Sequence, residues 1–239
     1  MRSAKRFIFG LVCWAGLASV ARANFEVQPF ILKLRADRGE LSGWLEVRPN
    51  QEKRPVAVEL KLHERVLDIN GVEDQNSPES RDLTVYPSEL VVYPGEKVKV
   101  QVVWNGKTPP VADRAYAIVA QEVPINLNQP VEKDRVEVEI KTLVRYRLVV
   151  ALETGKRGSL SVVSSKKLQG DSTEIVVENR GAGRIPMEGF HFLIGGKRFG
   201  GLGSGNAIMP GDKRRFVLPL ATPPAVTDIR FGASGGPIK

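Results

Sequence analysis

The sequence predicts an all-β protein built as two β-sandwich domains. Its apolar residues fall in short runs rich in β-branched side chains. Gly, Pro and Asn break those runs at the interval sandwiches show, and no segment sustains a helical period. The alternation is clearest from Glu96 to Trp104. There Lys97, Lys99 and Gln101 share one face, and Val98, Val100 and Val102 share the other.

Residues 1–23 read as a cleavable export signal. Arg2, Lys5 and Arg6 form a positive start, Phe7 to Val20 is a nearly unbroken apolar run, and Ala21-Arg22-Ala23 supplies small residues for cleavage after Ala23. The run is short for a permanent anchor, and no later stretch approaches about 18 apolar residues, so no membrane anchor is expected in the mature chain. Val12 before Cys13 is too large for a lipoprotein signal. Taking 23 residues from 239 leaves 216, and subtracting the leader's four cations from +8 leaves +4. That balance is too mild to imply nucleic acid. Cys13, the only cysteine, leaves with the leader, so a core and not a disulfide must hold the fold.

Strands are expected at Val27 to Leu34, Gly43 to Val47, Val56 to Leu62, Glu96 to Trp104, Ala115 to Val123 and, unusually long, Arg135 to Val150. A second series follows at Ser159 to Ser164, Thr173 to Asn179, Gly189 to Ile194, Arg214 to Leu220 and Thr227 to Phe231. The turn-rich stretch from Leu152 to Gly158 divides them. The partition is therefore a first domain over 24–151 and a second over 152–239. Asn70-Gly71 can close a hairpin, while Glu73 to Arg81 reads as a solvated polar loop.

Catalytic constellations are absent, which argues against an enzyme. His63 and His191 lie on strand patterns with no second ligand at metal spacing, and are expected at surface or edge positions. The glycines from Gly195 to Gly205 lack Walker spacing and read as a flexible loop. Glu73 with Asp74 and Glu137 with Glu139 read as solvated pairs. Trp44 and Trp104 suit cores better than a sugar-binding platform. No catalytic residue, metal or cofactor is expected.

Several short passages carry a resemblance. They are Tyr86 to Lys97 (YPSELVVYPGEK), Asp113-Arg114-Ala115-Tyr116, Gln121 to Pro124, Val176 to Gly181, Ile208 to Phe216 and Phe231-Gly232-Ala233. In this order they resemble the periplasmic chaperones of chaperone–usher pilus systems, as a divergent member. The resemblance implies two immunoglobulin-like sandwiches in an L or boomerang arrangement. It implies a periplasmic protein that caps pilus subunits by lending an edge strand and delivers them to an outer-membrane usher. The partners would be those subunits, the usher and, for an unbound molecule, a second copy in a self-capping dimer. The donor strand would present Val136, Val138 and Ile140 on one face of Arg135 to Lys141. The family also holds the subunit's terminal carboxylate with two basic residues. Here Ile31 stands where the first is usual, so Lys33 or Arg35 would substitute, with Lys141 or Arg145 as the second. Arg147 and Asp228 resemble residues that fix the angle between domains. The alternative is a structural or adhesive sandwich protein of a surface appendage.

Overall fold

The computed structural model describes residues 24–50, 54–124, 143–201, 206–233 and 236–238. The expected signal segment lies outside them, as do Val136, Val138, Ile140 and Lys141. The first half contains β1 (Phe25–Gln28), β2 (Ile31–Arg35), β3 (Ser42–Pro49), β4 (Val56–Glu64), β5 (Leu83–Tyr86), β6 (Glu89–Val92), β7 (Val98–Trp104), β8 (Arg114–Val123) and β9 (Arg145–Glu153). They form two sheets, ordered β1-β3-β7-β5 and β2-β9-β8-β4-β6, antiparallel except for the parallel pair β2 and β9. Period-two alternation turns Leu45, Val47, Val100, Val102, Ile118, Leu148 and Leu152 into the space between the sheets, where they form one buried cluster.

The second half contains β10 (Leu160–Lys167), β11 (Thr173–Asn179), β12 (His191–Ile194), β13 (Lys197–Gly200), β14 (Lys213–Leu218), β15 (Ile229–Ala233) and β16 (Gly236–Ile238). Its sheets are ordered β10-β11-β14 and β13-β12-β15-β16. A separate cluster fills it, with four phenylalanines at its centre. Phe190 stacks on Phe216 at 5.3 Å, and Phe192 meets Phe216 edge-on at 5.1 Å and Phe231 at 5.6 Å. The two clusters share no residue, and the chain passes from one to the other between Leu152 and Leu160.

Several sequence expectations need correction. Val27 to Leu34 is two strands in opposite sheets, because Pro29 has no N–H to continue a ladder. Four strands escaped the pattern: β5, β6, β13 and β16 are three or four residues long, too short to display a period. Gly195 and Gly196, both at positive φ, form the tight turn joining β12 to β13 and not a flexible loop; Gly200 belongs to β13. Trp44 is not in the core. It has the parity opposite to Leu45 and Val47, and stands 53% exposed on the outer face of β3. Trp104 is half-buried against the first core, and its ring N–H donates to the Thr108 carbonyl.

Candidate functional site

β9 alternates strictly. Leu148, Val150 and Leu152 enter the core, while Arg145 and Arg147 take the outward parity. On one side β9 pairs with β8 over its whole length, from Arg145 opposite Gln121 to Leu152 opposite Arg114. On the other side β2 joins only from Val149 onward, after the Val149 N–H donates to the Phe30 carbonyl at 2.9 Å. Among the described residues, the outer edge of Arg145–Leu148 has no strand beside it. The cause is local: the chain leaves the opposite sheet at Gln28, turns at Pro29 and reaches β9 only at Ile31. Phe25, Tyr146 and Phe30 line this side of the sandwich in sequence. Tyr146 meets Phe25 at 5.1 Å and Phe30 at 6.0 Å, and its hydroxyl donates to the Phe25 carbonyl.

The basic candidates are spread along this edge. Lys33 is exposed on β2 and stands opposite Ala151. Ala151 is six residues beyond Arg145 on β9, so Lys33 and Arg145 are about 20 Å apart along the strand. These two do not converge on one carboxylate. Arg35 lies further along β2, with Nε 3.9 Å from Glu153.

Arg35 belongs to a polar seam between the domains. The buried Asp113 carboxylate accepts the Thr154 N–H and hydroxyl, both at 2.7 Å, and the Arg184 N–H at 2.9 Å. Its own N–H donates to the Ala182 carbonyl at 2.8 Å. Glu153 Oε1 lies 3.0 Å from Arg184 Nη2 as an ion pair without an aligned hydrogen bond. Lys156 Nζ donates to the Val111 carbonyl. Asp113 was legible only as part of a family motif; its role is fixed by partners some 40 and 70 residues away. Its motif neighbours act within the first domain. The Arg114 guanidinium and the Tyr116 hydroxyl both donate to Asp82. Burial, together with the Asp82 carboxylate, pushes the Tyr116 phenol well above its usual range.

A second seam is built by the segment that reads as a polar loop. Glu73 is not solvated: its side chain is 16% exposed and lies between the guanidinium groups of Arg65, at 2.9 Å, and Arg147. Its acid neighbour Asp74 gives its carbonyl to Arg147. The buried Ser77 binds Arg147 through its hydroxyl and His63 Nδ1 through its carbonyl. Of the two acids, Glu73 alone departs from the solvated reading, since its partner Arg147 lies 74 residues away in sequence; Asp74 itself is exposed. His63 is half-buried near the end of β4, opposite Ala117 of β8 on one side and with only an isolated bridge to Glu79 on the other; His191 is half-buried on β12 between β13 and β15.

Asn70-Gly71 does turn the chain, with the Asp68 carboxylate accepting the N–H groups of Asn70 and Val72. Those bonds hold the Asp68 pKa below the ordinary aspartate value of 3.8. The tip then docks on the second domain. Arg215 donates its N–H to the Ile69 carbonyl at 2.7 Å, and its guanidinium donates to Asn70. Arg65 reaches Asn206 at 2.7 Å, and Asn206 donates back to the Gly71 carbonyl. Gly71, at φ +82°, lies against the buried Arg214; a Cβ there would sit 2.0 Å from its Nη1. Burial lowers the Arg214 pKa, partly offset by Asp212 and Asp68.

Among the described residues, Arg147 is linked to the second domain through Glu73 and Arg65. Asp228 stands in a short 3-10 turn, where its described hydrogen bonds go to Ala225 and Thr227. The described contacts do not bring Arg147 and Asp228 together. Among the described residues, no group of three or more His, Cys, Asp or Glu could hold a metal ion. No helix among them is long and apolar enough to cross a membrane.

Solved structures share this architecture. A chain of the chaperone–tip adhesin complex of CFA/I fimbriae biogenesis superposes with a TM-score of 0.62 at 14% identity, covering 88% of this chain and 91% of that one. A chain of the CsuC–CsuE chaperone–tip adhesion subunit pre-assembly complex, from the archaic chaperone–usher Csu pili of Acinetobacter baumannii, gives 0.57 at 16%, covering 90% and 94%. The class 5 fimbriae chaperone CfaA gives 0.57 at 12%, covering 87% and 91%. No family model and no curated protein matches the sequence. The chain has the two-domain β-sandwich fold of these solved structures, at identities of 12% to 16%.

Proposed function

We propose that this protein is a periplasmic, non-enzymatic chaperone that binds and caps pilus subunits by lending them an edge strand, and delivers them to an outer-membrane usher. The observation that carries the reading is that, among the described residues, the outer edge of β9 at Arg145–Leu148 has no strand beside it. An exposed edge is a liability that soluble proteins remove unless a partner uses it. The shared fold and the ordered motifs support the same reading. We assign the donor segment to Val136, Val138 and Ile140, on the chain leading into that edge. Three aliphatic anchors of about 1.5–3 kcal/mol each supply several kcal/mol before ordering costs. Lys141 with Lys33 is proposed to anchor the subunit carboxylate, with Arg145 or Arg35 as the alternatives. Arg147 and Asp228 are proposed to help set the angle between domains.

The test is co-expression with a pilin and purification from the periplasm. The unmodified chain is expected to carry the pilin in equal amount, and the double substitution Val138→Asp with Ile140→Asp is expected to lose it. Retention of the pilin by the doubly substituted chain overturns the donor assignment.

A further inference from the structure

The two seams between the domains differ in how completely their buried groups are satisfied. In the first, both oxygens of the buried Asp113 carboxylate accept hydrogen bonds, from Thr154 and from Arg184, and its N–H donates to the Ala182 carbonyl. In the second, the buried group is Arg214, 6% exposed. It has the same parity on β14 as the core residues Phe216 and Leu218, so it is turned inward and not to solvent. Its Nε and Nη2 are buried and meet no acceptor among the described residues. Asp212 and Asp68 act on it through charge alone, and Arg65 opposes them.

A buried donor without an acceptor costs stability whenever the seam closes over it, and opening returns it to water. The bonds that hold this seam closed involve groups at the surface. Ile69, Asn70 and Arg215 are exposed even in the closed seam, so opening exchanges their bonds for water and uncovers little apolar area. An apolar side chain in place of Arg214 would make the same contact without that cost. Glu73, held between Arg65 and Arg147, ties the turn to the first domain, so the two move together. We propose that the contact between the Ile69–Gly71 turn and β14 is a releasable latch weakened by Arg214, and that the Asp113 seam is the fixed hinge about which the domains open. The latch is independent of what the β9 edge binds.

Each seam is crossed by a backbone N–H whose hydrogen exchange reports its opening. Arg215 donates to the Ile69 carbonyl at 2.7 Å in the latch, and Asp113 donates to the Ala182 carbonyl at 2.8 Å in the hinge. NMR of the full chain reads both as protection factors. Arg215 is expected to be protected at least about tenfold less than Asp113, since the latch opens while the hinge stays closed. Arg214→Met keeps the apolar stem and removes the unpaired donors. It is expected to raise Arg215 protection about tenfold and to leave Asp113 within about twofold. Asn206→Ala removes the amide that bonds both Arg65 and the Gly71 carbonyl, and is expected to lower Arg215 protection while again sparing Asp113. Equal protection of Arg215 and Asp113 in the unmodified chain makes the two seams one rigid joint and overturns the latch, whether or not either variant folds. Unchanged or lower protection of Arg215 in Arg214→Met overturns the role given to Arg214. Loss of protection at Asp113 together with Arg215 in Asn206→Ala overturns the fixed hinge.

Discussion

Asp113 concentrates more interdomain bonding than any other single carboxylate described. It is buried, and it satisfies the linker at Thr154 and the second domain at Arg184 at the same time. Replacing it by Ala leaves two N–H groups and a hydroxyl without acceptors in a sheltered seam. Each such buried orphan costs about 1–3 kcal/mol where water cannot reach it. Asp113→Ala is therefore expected to lower stability by roughly 3 kcal/mol in urea denaturation, and Asp113→Asn by less, since one acceptor oxygen remains. A loss within about 0.5 kcal/mol for the Ala variant, the range of an ordinary surface change, would falsify this role. Asn179 shows the same economy inside the second domain. Its amide donates to the carbonyls of Gly183 and Ile208, and its oxygen accepts from Ser159 and Gly181, so every capacity of the side chain is used. Both residues belong to passages that stand out in the sequence. Neither job could be read there, because a hydrogen-bonding residue type says nothing of a partner many residues away.

At the scale of elements, alternation was readable wherever a strand was long enough to show it. β11 runs from Thr173 to Asn179 as expected, and β7 buries Val100 and Val102 while Lys99 stays out. Period alone could not say where a chain changes sheet, so the break at Pro29 was missed, and with it the cause of the free edge. The parity of Trp44 was equally open, since a tryptophan fits either face of a half-buried strand. Within the stretch Glu73 to Arg81, which reads as solvated and is largely exposed, Glu73 is the charged exception: it meets Arg65 and Arg147, while the preceding turn at Ile69 to Gly71 lies against Arg214 and Arg215. Gly71 at the tip gives a clean test. Gly71→Ala meets both a left-handed backbone and the Arg214 guanidinium. Gly95→Ala meets the backbone penalty alone, at φ +81° with nothing within 4 Å of the added Cβ. Thermal denaturation should show about 1 kcal/mol lost at Gly95 and at least about 2 kcal/mol at Gly71. Equal losses at the two glycines would mean that the tip does not bind the second domain tightly enough to matter.

The whole molecule joins two sandwiches, each with its own core, through seams that are polar and not apolar. Carboxylates, guanidinium groups and backbone carbonyls meet there, and neither core cluster extends across. Such a seam fixes direction more than it adds binding energy, because paired charges largely repay their own desolvation. The relation between the domains is then held by geometry, while Phe30, Ile31 and Trp44 are among the exposed apolar residues, Phe30 and Ile31 lying where the chain reaches β9. Among the described residues, that arrangement leaves the Arg145–Leu148 edge of β9 with no strand beside it. A second copy presents the same edge and the same rings, and an isologous pair would close both at once. Sedimentation velocity of the partner-free protein is accordingly expected to show a concentration-dependent dimer. The Val138→Asp and Ile140→Asp chain, whose added charges disfavour pairing by the proposed donor segment, is expected to stay monomeric. A wild-type chain that remains monomeric to high concentration would show that its edge is covered from within, and that a partner must displace that cover before it can bind.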